Sequence, residues 1–111
     1  MNNGIYDKPK YKDSLGEIKV NVFLDNIDGE VMKGIKINLY RINGISPQLE
    51  DSKKTDINGQ VIFDNLSQGN YRIIEIINKE IYKKPIYKVW NEVNISSYNK
   101  KATVNIINVE K

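Results

Sequence analysis

Thr55-Asp56-Ile57-Asn58-Gly59-Gln60-Val61-Ile62-Phe63-Asp64-Asn65-Leu66-Ser67-Gln68-Gly69-Asn70-Tyr71-Arg72-Ile73-Ile74-Glu75 is the stretch that decides the fold. Asp56 to Gly59 is a turn in which Asn58 and Gly59 adopt positive φ at little steric cost, and Ser67-Gln68-Gly69-Asn70 is a second polar break. The residues between and after these turns must run extended. In the second extended segment Tyr71, Ile73, Glu75 and Ile77 share one face at a two-residue period. Glu75 therefore projects among large apolar neighbours, where an ionised carboxylate is costly.

Working outward, the same alternation recurs. Ile18, Val20, Val22 and Leu24 alternate with Lys19, Asn21 and Phe23 over residues 17–25, and Asn26-Ile27-Asp28-Gly29 supplies a turn. Ile35, Ile37 and Leu39 alternate with Lys36, Asn38 and Tyr40 in a second strand that ends near Asn43-Gly44. Residues 45–54 carry Pro47 and mostly polar side chains, so they read as a loop. Strands follow over 60–64 and 70–78. A short one over 84–89 contains Pro85 and so belongs at an edge or a strand start. The last two cover 92–95 and 102–109, with Val104, Ile106 and Asn108 on one face and Thr103, Asn105 and Ile107 on the other. Some seven short strands with turns between them and no amphipathic helix predict an all-β fold of two antiparallel sheets packed face to face. The expected core is Ile18, Val20, Val22, Ile35, Ile37, Leu39, Phe63, Tyr71, Ile73, Val104 and Ile106.

A chain of 111 residues forms one domain. Residues 1–15 are polar, contain Pro9 and lack periodicity, which predicts a flexible leader before a single domain over 16–111. The chain has no cysteine and no histidine. That removes disulfides, thiol nucleophiles, the commonest metal ligand and the commonest general base, and most enzyme classes with them. The net charge is +3, with lysines in pairs such as Lys53-Lys54, Lys83-Lys84 and Lys100-Lys101 where loops or strand ends are expected. This predicts a solvated surface and no nucleic-acid footprint. The first ten residues lack the apolar run and small-residue cleavage site of a signal peptide, and no segment is apolar enough to cross a bilayer. Val109-Glu110-Lys111 carries no wall-sorting motif. The expectation is either a small protein exported by another route or a module of a longer chain.

Gly29 and Gly34 around the first turn, Gly34-Ile35-Lys36-Ile37-Asn38-Leu39-Tyr40, the Thr55-Asp56-x-Asn58-Gly59 turn, Phe63-x-Asn65-Leu66, Gly69-x-Tyr71 with Glu75, and Asn108 near the end form an ordered set. Over roughly residues 16–109 it resembles the CnaB-type, or SpaA-like, prealbumin-fold domains of Gram-positive surface proteins and pilins. The Thr-Asp-x-x-Gly turn followed by Gly-x-Tyr is shared with other transthyretin-like sandwiches. Tyr71-x-x-x-Glu75 narrows the likeness toward the CnaB type.

The resemblance implies a surface location and a site for a self-formed amide crosslink. In that family a lysine on the first strand joins an asparagine on the last, and a buried acid on a middle strand shuttles the proton. An amine must be neutral to attack, and an apolar site with a carboxylic acid nearby favours that state. Glu75 falls at the acid's position and Asn108 at the acceptor's, but Val22 occupies the lysine's position. Lys19 and Lys36 alternate away from the apolar face and need a bulge or register slip to reach Asn108. The expectation is a degenerate site with no crosslink, in which Glu75 is held by hydrogen bonds to Asn108 or to backbone and has a raised pKa.

A second candidate site is Tyr82-Lys83-Lys84-Pro85-Ile86-Tyr87-Lys88-Val89-Trp90-Asn91-Glu92, where Tyr87 and Trp90 could stack on sugars or help bind an anionic polymer. The alternative is that Trp90 plugs the core or covers an open end of the sandwich. Asp25, Asp28 and Glu30 lack the looped spacing of a calcium site and read as turn chemistry, so no metal or other cofactor is expected. Three functions follow. The first is a non-enzymatic structural or adhesive module whose partner is a host-surface protein or a cell-wall carbohydrate polymer. The others are a carbohydrate-binding module centred on Tyr87 and Trp90, and a single-turnover crosslinking domain. Neither membrane insertion nor nucleic-acid binding is expected, and the sequence leaves the oligomeric state open.

Overall fold

A computed structural model describes residues 15–111, which form a sandwich of two four-stranded sheets with no helix among the described residues. The strands are β1 (Gly16–Leu24), β2 (Lys36–Ile42), β3 (Pro47–Lys54), β4 (Gln60–Leu66), β5 (Gly69–Ile76), β6 (Ile86–Tyr87), β7 (Glu92–Ile95) and β8 (Lys101–Asn108). One sheet has the order β4-β1-β8-β6 and the other β3-β2-β5-β7. Apart from Leu15, the leader expected over 1–15 lies outside the described residues.

Alternation places the core as expected along β1, β5 and β8. Ile18, Val20 and Val22 are fully buried, as are Ile37, Leu39, Ile73 and Ile106, with Phe63, Tyr71 and Val104 nearly so. Ile35 is the exception: it lies just before β2 and packs half-buried against the core's edge. Val61, Leu66, Val93, Ile95 and Ile107 join the buried set. Val61 shares the inner face of β4 with Phe63. Ile107 lies on the opposite face of β8 from Ile106, next to β6, which pairs with it through Ile86.

The strand expected over 84–89 shrinks to Ile86–Tyr87 and that over 70–78 ends at Ile76, and two larger features of the sheets also differ from expectation. Residues 47–54 form a strand rather than a loop, paired antiparallel with β2 from Lys36↔Lys54 to Ile42↔Pro47. All eight of its residues are exposed, so no apolar alternation marks it. It is an edge strand protected by charged side chains, by Pro47 at its first position and by a register shift near Glu50, features that discourage further strand pairing. Second, the sheets are not wholly antiparallel. β1 and β8 run parallel through eight successive pairs, from Glu17↔Lys101 to Leu24↔Asn108.

The Asp56 turn is closed by its own side chain. Asp56 Oδ1 accepts from the Asn58 and Gln60 N–H groups at 2.9 and 3.0 Å, and Gly59 N–H donates to the Asp56 carbonyl at 2.9 Å. Gly59, but not Asn58, takes positive φ, at 70°. A Cβ there would also lie 2.7 Å from the Val31 Cβ. The turn is thus pressed against the segment that carries Met32, next to the buried polar site.

Candidate functional site

Four strands meet at the buried polar site. β5 carries Glu75 opposite Ile37 of β2, and β8 ends on Asn108 opposite Leu24 of β1. Val22 lies one inward-facing step back along β1 from Leu24. The two-residue period turns Glu75 and Asn108 into the space between the sheets, where Glu75 is 6% and Asn108 0% exposed. Asn108 Nδ2 donates to Glu75 Oε1 at 2.8 Å and lies 3.5 Å from the Met32 thioether sulfur. Met32 is itself held by its N–H, which donates to the Val22 carbonyl at 2.9 Å.

Glu75 Oε2 and Asn108 Oδ1 are buried without a partner among the described residues. Both are acceptors when the carboxyl is ionised, and leaving two buried acceptors unpaired costs free energy. Burial pushes the Glu75 carboxyl up to about 7 from an ordinary value near 4.5, and the Asn108 hydrogen bond pulls partly the other way. A neutral carboxyl has one O–H to donate, and this changes which atoms can pair.

The Glu75 backbone N–H donates to the Tyr87 hydroxyl at 2.9 Å. β7 pairs with β5 only from Gly69 to Arg72 and the Asn91 carbonyl takes the Ile73 N–H, so at Glu75 the Tyr87 side chain supplies the partner that a longer β7 would have given. Burial raises the Tyr87 pKa, opposed by this hydrogen bond and assisted by the nearby Glu75 charge. Tyr87 and Trp90 consequently do not form one platform. Tyr87 is turned to Glu75, whereas Trp90 is 69% exposed and lines a separate groove beside β7 and β8. That exposure excludes Trp90 as a core plug.

Lys19 and Lys36, the lysines of β1 and β2, point away from the site. Lys19 lies opposite Ile62 and Thr103 on the outer face of its sheet, and Lys36 is exposed opposite Lys54 and Ile76. A surface pocket beside Glu75 is bordered by Lys79, Lys84 and Lys111. Asn108 does not line that pocket. No bulge shifts β1 at Lys19, since its irregularity lies between Gly16 and Ile18. Asp25, Asp28 and Glu30 sit in the turn after β1, closed by Gly29 N–H to the Asn26 carbonyl at 2.8 Å. Among the described residues no three acidic side chains cluster as metal ligands would.

Sequence reading missed a polar knot at the opposite end of β5. The Tyr71 hydroxyl donates to the Ser67 carbonyl at 2.7 Å, and Arg41 Nη1 donates to the Tyr71 hydroxyl at 2.8 Å and to Ser67 Oγ at 2.9 Å. Arg41 Nη2 adds a bond to the Gln68 carbonyl at 3.0 Å. The knot fixes the turn before β5 and so the register that points Glu75 inward. Its sequence signal was Ser67 four residues before Tyr71.

The same architecture occurs in known proteins. The family profile described as SpaA, prealbumin-like fold domain, matches residues 17–110. Serine-aspartate repeat-containing protein C of Staphylococcus aureus is 36% identical over 81 residues, covering 67% of this chain but 8% of that protein, so the chain spans a small part of the curated relatives it matches. Among solved structures, BcpA, the major pilin subunit of Bacillus cereus, superposes with a TM-score of 0.64 at 22% identity, over 88% of this chain and 31% of that one. GBS52, the minor pilin of Streptococcus agalactiae, gives 0.62 at 22% identity over 88% and 45%. These structural likenesses concern the fold, and the family profile covers almost all of the described residues. The chain belongs to the SpaA-type prealbumin-like fold domains.

Proposed function

We propose that the chain is a non-enzymatic structural or adhesive module of a bacterial surface protein, in which the amide-crosslinking site of its relatives is degenerate. The observation that carries this reading is Asn108 hydrogen-bonded to Glu75 at 2.8 Å while Val22, with no amine to offer, fills the first-strand position fully buried. On this reading the acid and the acceptor amide persist, and β1 offers them no inward-facing amine. Stability then rests on apolar burial, at about 25 cal/mol per Å² removed from water, against the entropy of ordering the chain. At neutral pH and below, the Glu75 carboxyl is protonated to a substantial extent, and its O–H is a donor of the kind that the orphan Asn108 Oδ1 lacks. The pair becomes a buried polar clamp between the sheets.

The family membership supports a surface setting, with a host-surface protein or a wall polymer as partner. Protease treatment of intact cells that encode the chain tests it. The full-length product should be lost from an immunoblot before lysis. Full protection until the cells are broken would contradict a surface role.

A further inference from the structure

The two sheets part between β7 and the first half of β8. β6 is only two residues long and covers β8 at Ile106 and Ile107, with one further bond from Lys88 N–H to the Asn105 carbonyl at 2.9 Å. Residues 101–104 of β8 have no strand on that side. The resulting groove has a volume of about 460 Å³, within the range of small-molecule sites of about 300–1,000 Å³. Trp90, Asn70, Asn94, Asn99, Thr103 and Asn105 supply the polar and aromatic part of its lining.

Trp90 is held in the open by its neighbour. Asn91 accepts the Ile73 N–H through its carbonyl at 2.8 Å and donates its side-chain amide to the Ile73 carbonyl at 3.0 Å, so the backbone beside Trp90 is pinned to β5 while the ring is 69% exposed. A large aromatic surface displayed from a fixed backbone is a feature of binding sites.

Each asparagine in the groove is oriented by one committed end of its amide. Asn94 Nδ2 donates to Asn70 Oδ1 at 2.8 Å, Asn99 Nδ2 to the Asn94 carbonyl at 2.8 Å, and Asn21 Nδ2 to Asn105 Oδ1 at 3.0 Å. The opposite ends have no side-chain partner among the described residues. They are two amino groups, on Asn70 and Asn105, and two carbonyl oxygens, on Asn94 and Asn99. Charge is sparse. Glu92 is taken up by Arg72 at 2.6 Å, which leaves Lys88 as the charge of the lining with no ion pair among the described residues.

A pyranose ring presents a face of C–H bonds edged by hydroxyls that both donate and accept. One exposed indole face with a rim of fixed amide donors and acceptors complements it. Of the apolar lining, Val93 and Val104 are buried and Ala102 half-buried, which leaves Val89 beside Trp90 as an exposed apolar side chain; a peptide interface would call for several such anchors, and single-stranded nucleic acid for a row of aromatics with many cations. We propose that this groove binds a neutral hexopyranose unit of an oligosaccharide, with Trp90 stacking on the sugar face and the free amide ends of Asn70, Asn94, Asn99 and Asn105 reading its hydroxyls. The site is independent of the Glu75–Asn108 pair and of where the protein resides.

Trp90 is the single tryptophan of the chain, so its fluorescence reports on this groove alone. The intact chain is titrated with neutral trisaccharides of glucose, galactose, mannose and N-acetylglucosamine, followed by that fluorescence and by amide shifts of ¹⁵N-labelled protein. At least one sugar should saturate at millimolar concentration or below, with shifts confined to Asn70, Trp90, Asn94, Asn99, Thr103 and Asn105. Trp90→Ala should weaken binding about tenfold or more without moving the unfolding midpoint, and Asn94→Ala should weaken it through the amide rim. Silence with all four sugars overturns the proposal, as do unchanged affinities in both variants. Capture of an extended peptide at the groove with no sugar able to displace it has the same consequence.

Discussion

Asn108 reaches Glu75 across the sandwich, its side-chain amide donating to the carboxyl at 2.8 Å from the end of β8 to the middle sheet position on β5. The pair ties one sheet to the other around a carboxyl whose pKa burial raises to about 7.

The first consequence is a pH-dependent stability of unusual sign for a carboxyl. Glu75 titrates near 7 when folded and in the ordinary range near 4.5 when unfolded. Below 4.5 the group is neutral in both states and carries no penalty. Between 4.5 and 7 the folded chain holds a proton that the unfolded chain has lost, so stability falls as pH rises, by about 3 kcal/mol at most once above the folded value. Urea unfolding from pH 5 to 8 should show this loss superimposed on the other carboxylates. Glu75→Gln keeps an acceptor for Asn108 and gains an uncharged donor, so its profile should lose that component and its stability at pH 8 should exceed that of the parent chain. A variant less stable than the parent at every pH would contradict the neutral-acid reading.

Removing the donor should be costly at all pH values. Asn108→Ala leaves Glu75 Oε1 buried with no side-chain donor and opens space beside Met32, an expected loss of about 2–3 kcal/mol. The same change should raise the Glu75 pKa further, since the one interaction that lowers it is gone. NMR titration of the Glu75 carboxyl carbon reads this directly. A lower pKa in the variant would show that Asn108 is not the group favouring the charged form.

The knot on Tyr71 should behave as a register lock. Tyr71→Phe removes the hydroxyl between Arg41 and the Ser67 carbonyl and should cost about 1–2 kcal/mol, with little change in the apolar core. Hydrogen exchange should quicken at the turn before β5 more than along β1. Uniform quickening throughout the domain would argue that the knot contributes to global stability alone.

Installing the missing amine tests how complete the rest of the site is. Val22→Lys places an amine on β1 one inward step from the Leu24↔Asn108 pair. Its neutral Nζ would attack the Asn108 side-chain carbonyl carbon and form a C–N bond; Nζ gives up one proton, Glu75 passes it to the Asn108 amide nitrogen, and the old C–Nδ2 bond breaks to release ammonia. The variant should lose mass equal to one ammonia, and the additional substitution Glu75→Ala should stop it. A stable, folded Val22→Lys protein of full mass would mean that acid and amide are no longer placed for this chemistry.

Most of the architecture was legible because inward residues alternate so strictly along β1, β5 and β8. Pro85 correctly marked an edge, and the two-residue period put Glu75 and Asn108 on inward faces before their contact was known. β3 was illegible for a physical reason: an edge strand with every side chain in solvent needs only backbone pairing, and its residues, Pro47 and Glu50 among them, carry the composition of a loop. The parallel pairing of β1 with β8 was equally hidden, because alternation records which face is buried and not the direction of the neighbour. Tyr87 and Trp90 are close in sequence, yet they do not form one aromatic cluster. The actual partner of Tyr87, the Glu75 N–H, became available only because β7 is too short to reach that far along β5.

A site with its acid and its amide but no amine leaves the chain uncrosslinked, and the intact mass of the unmodified chain under denaturing conditions decides the matter. The expected value is the full sum of the residues, with Asn108 recovered as free asparagine in the peptide map. A mass short by one ammonia, with a lysine-bearing peptide joined to the one containing Asn108, would contradict the account.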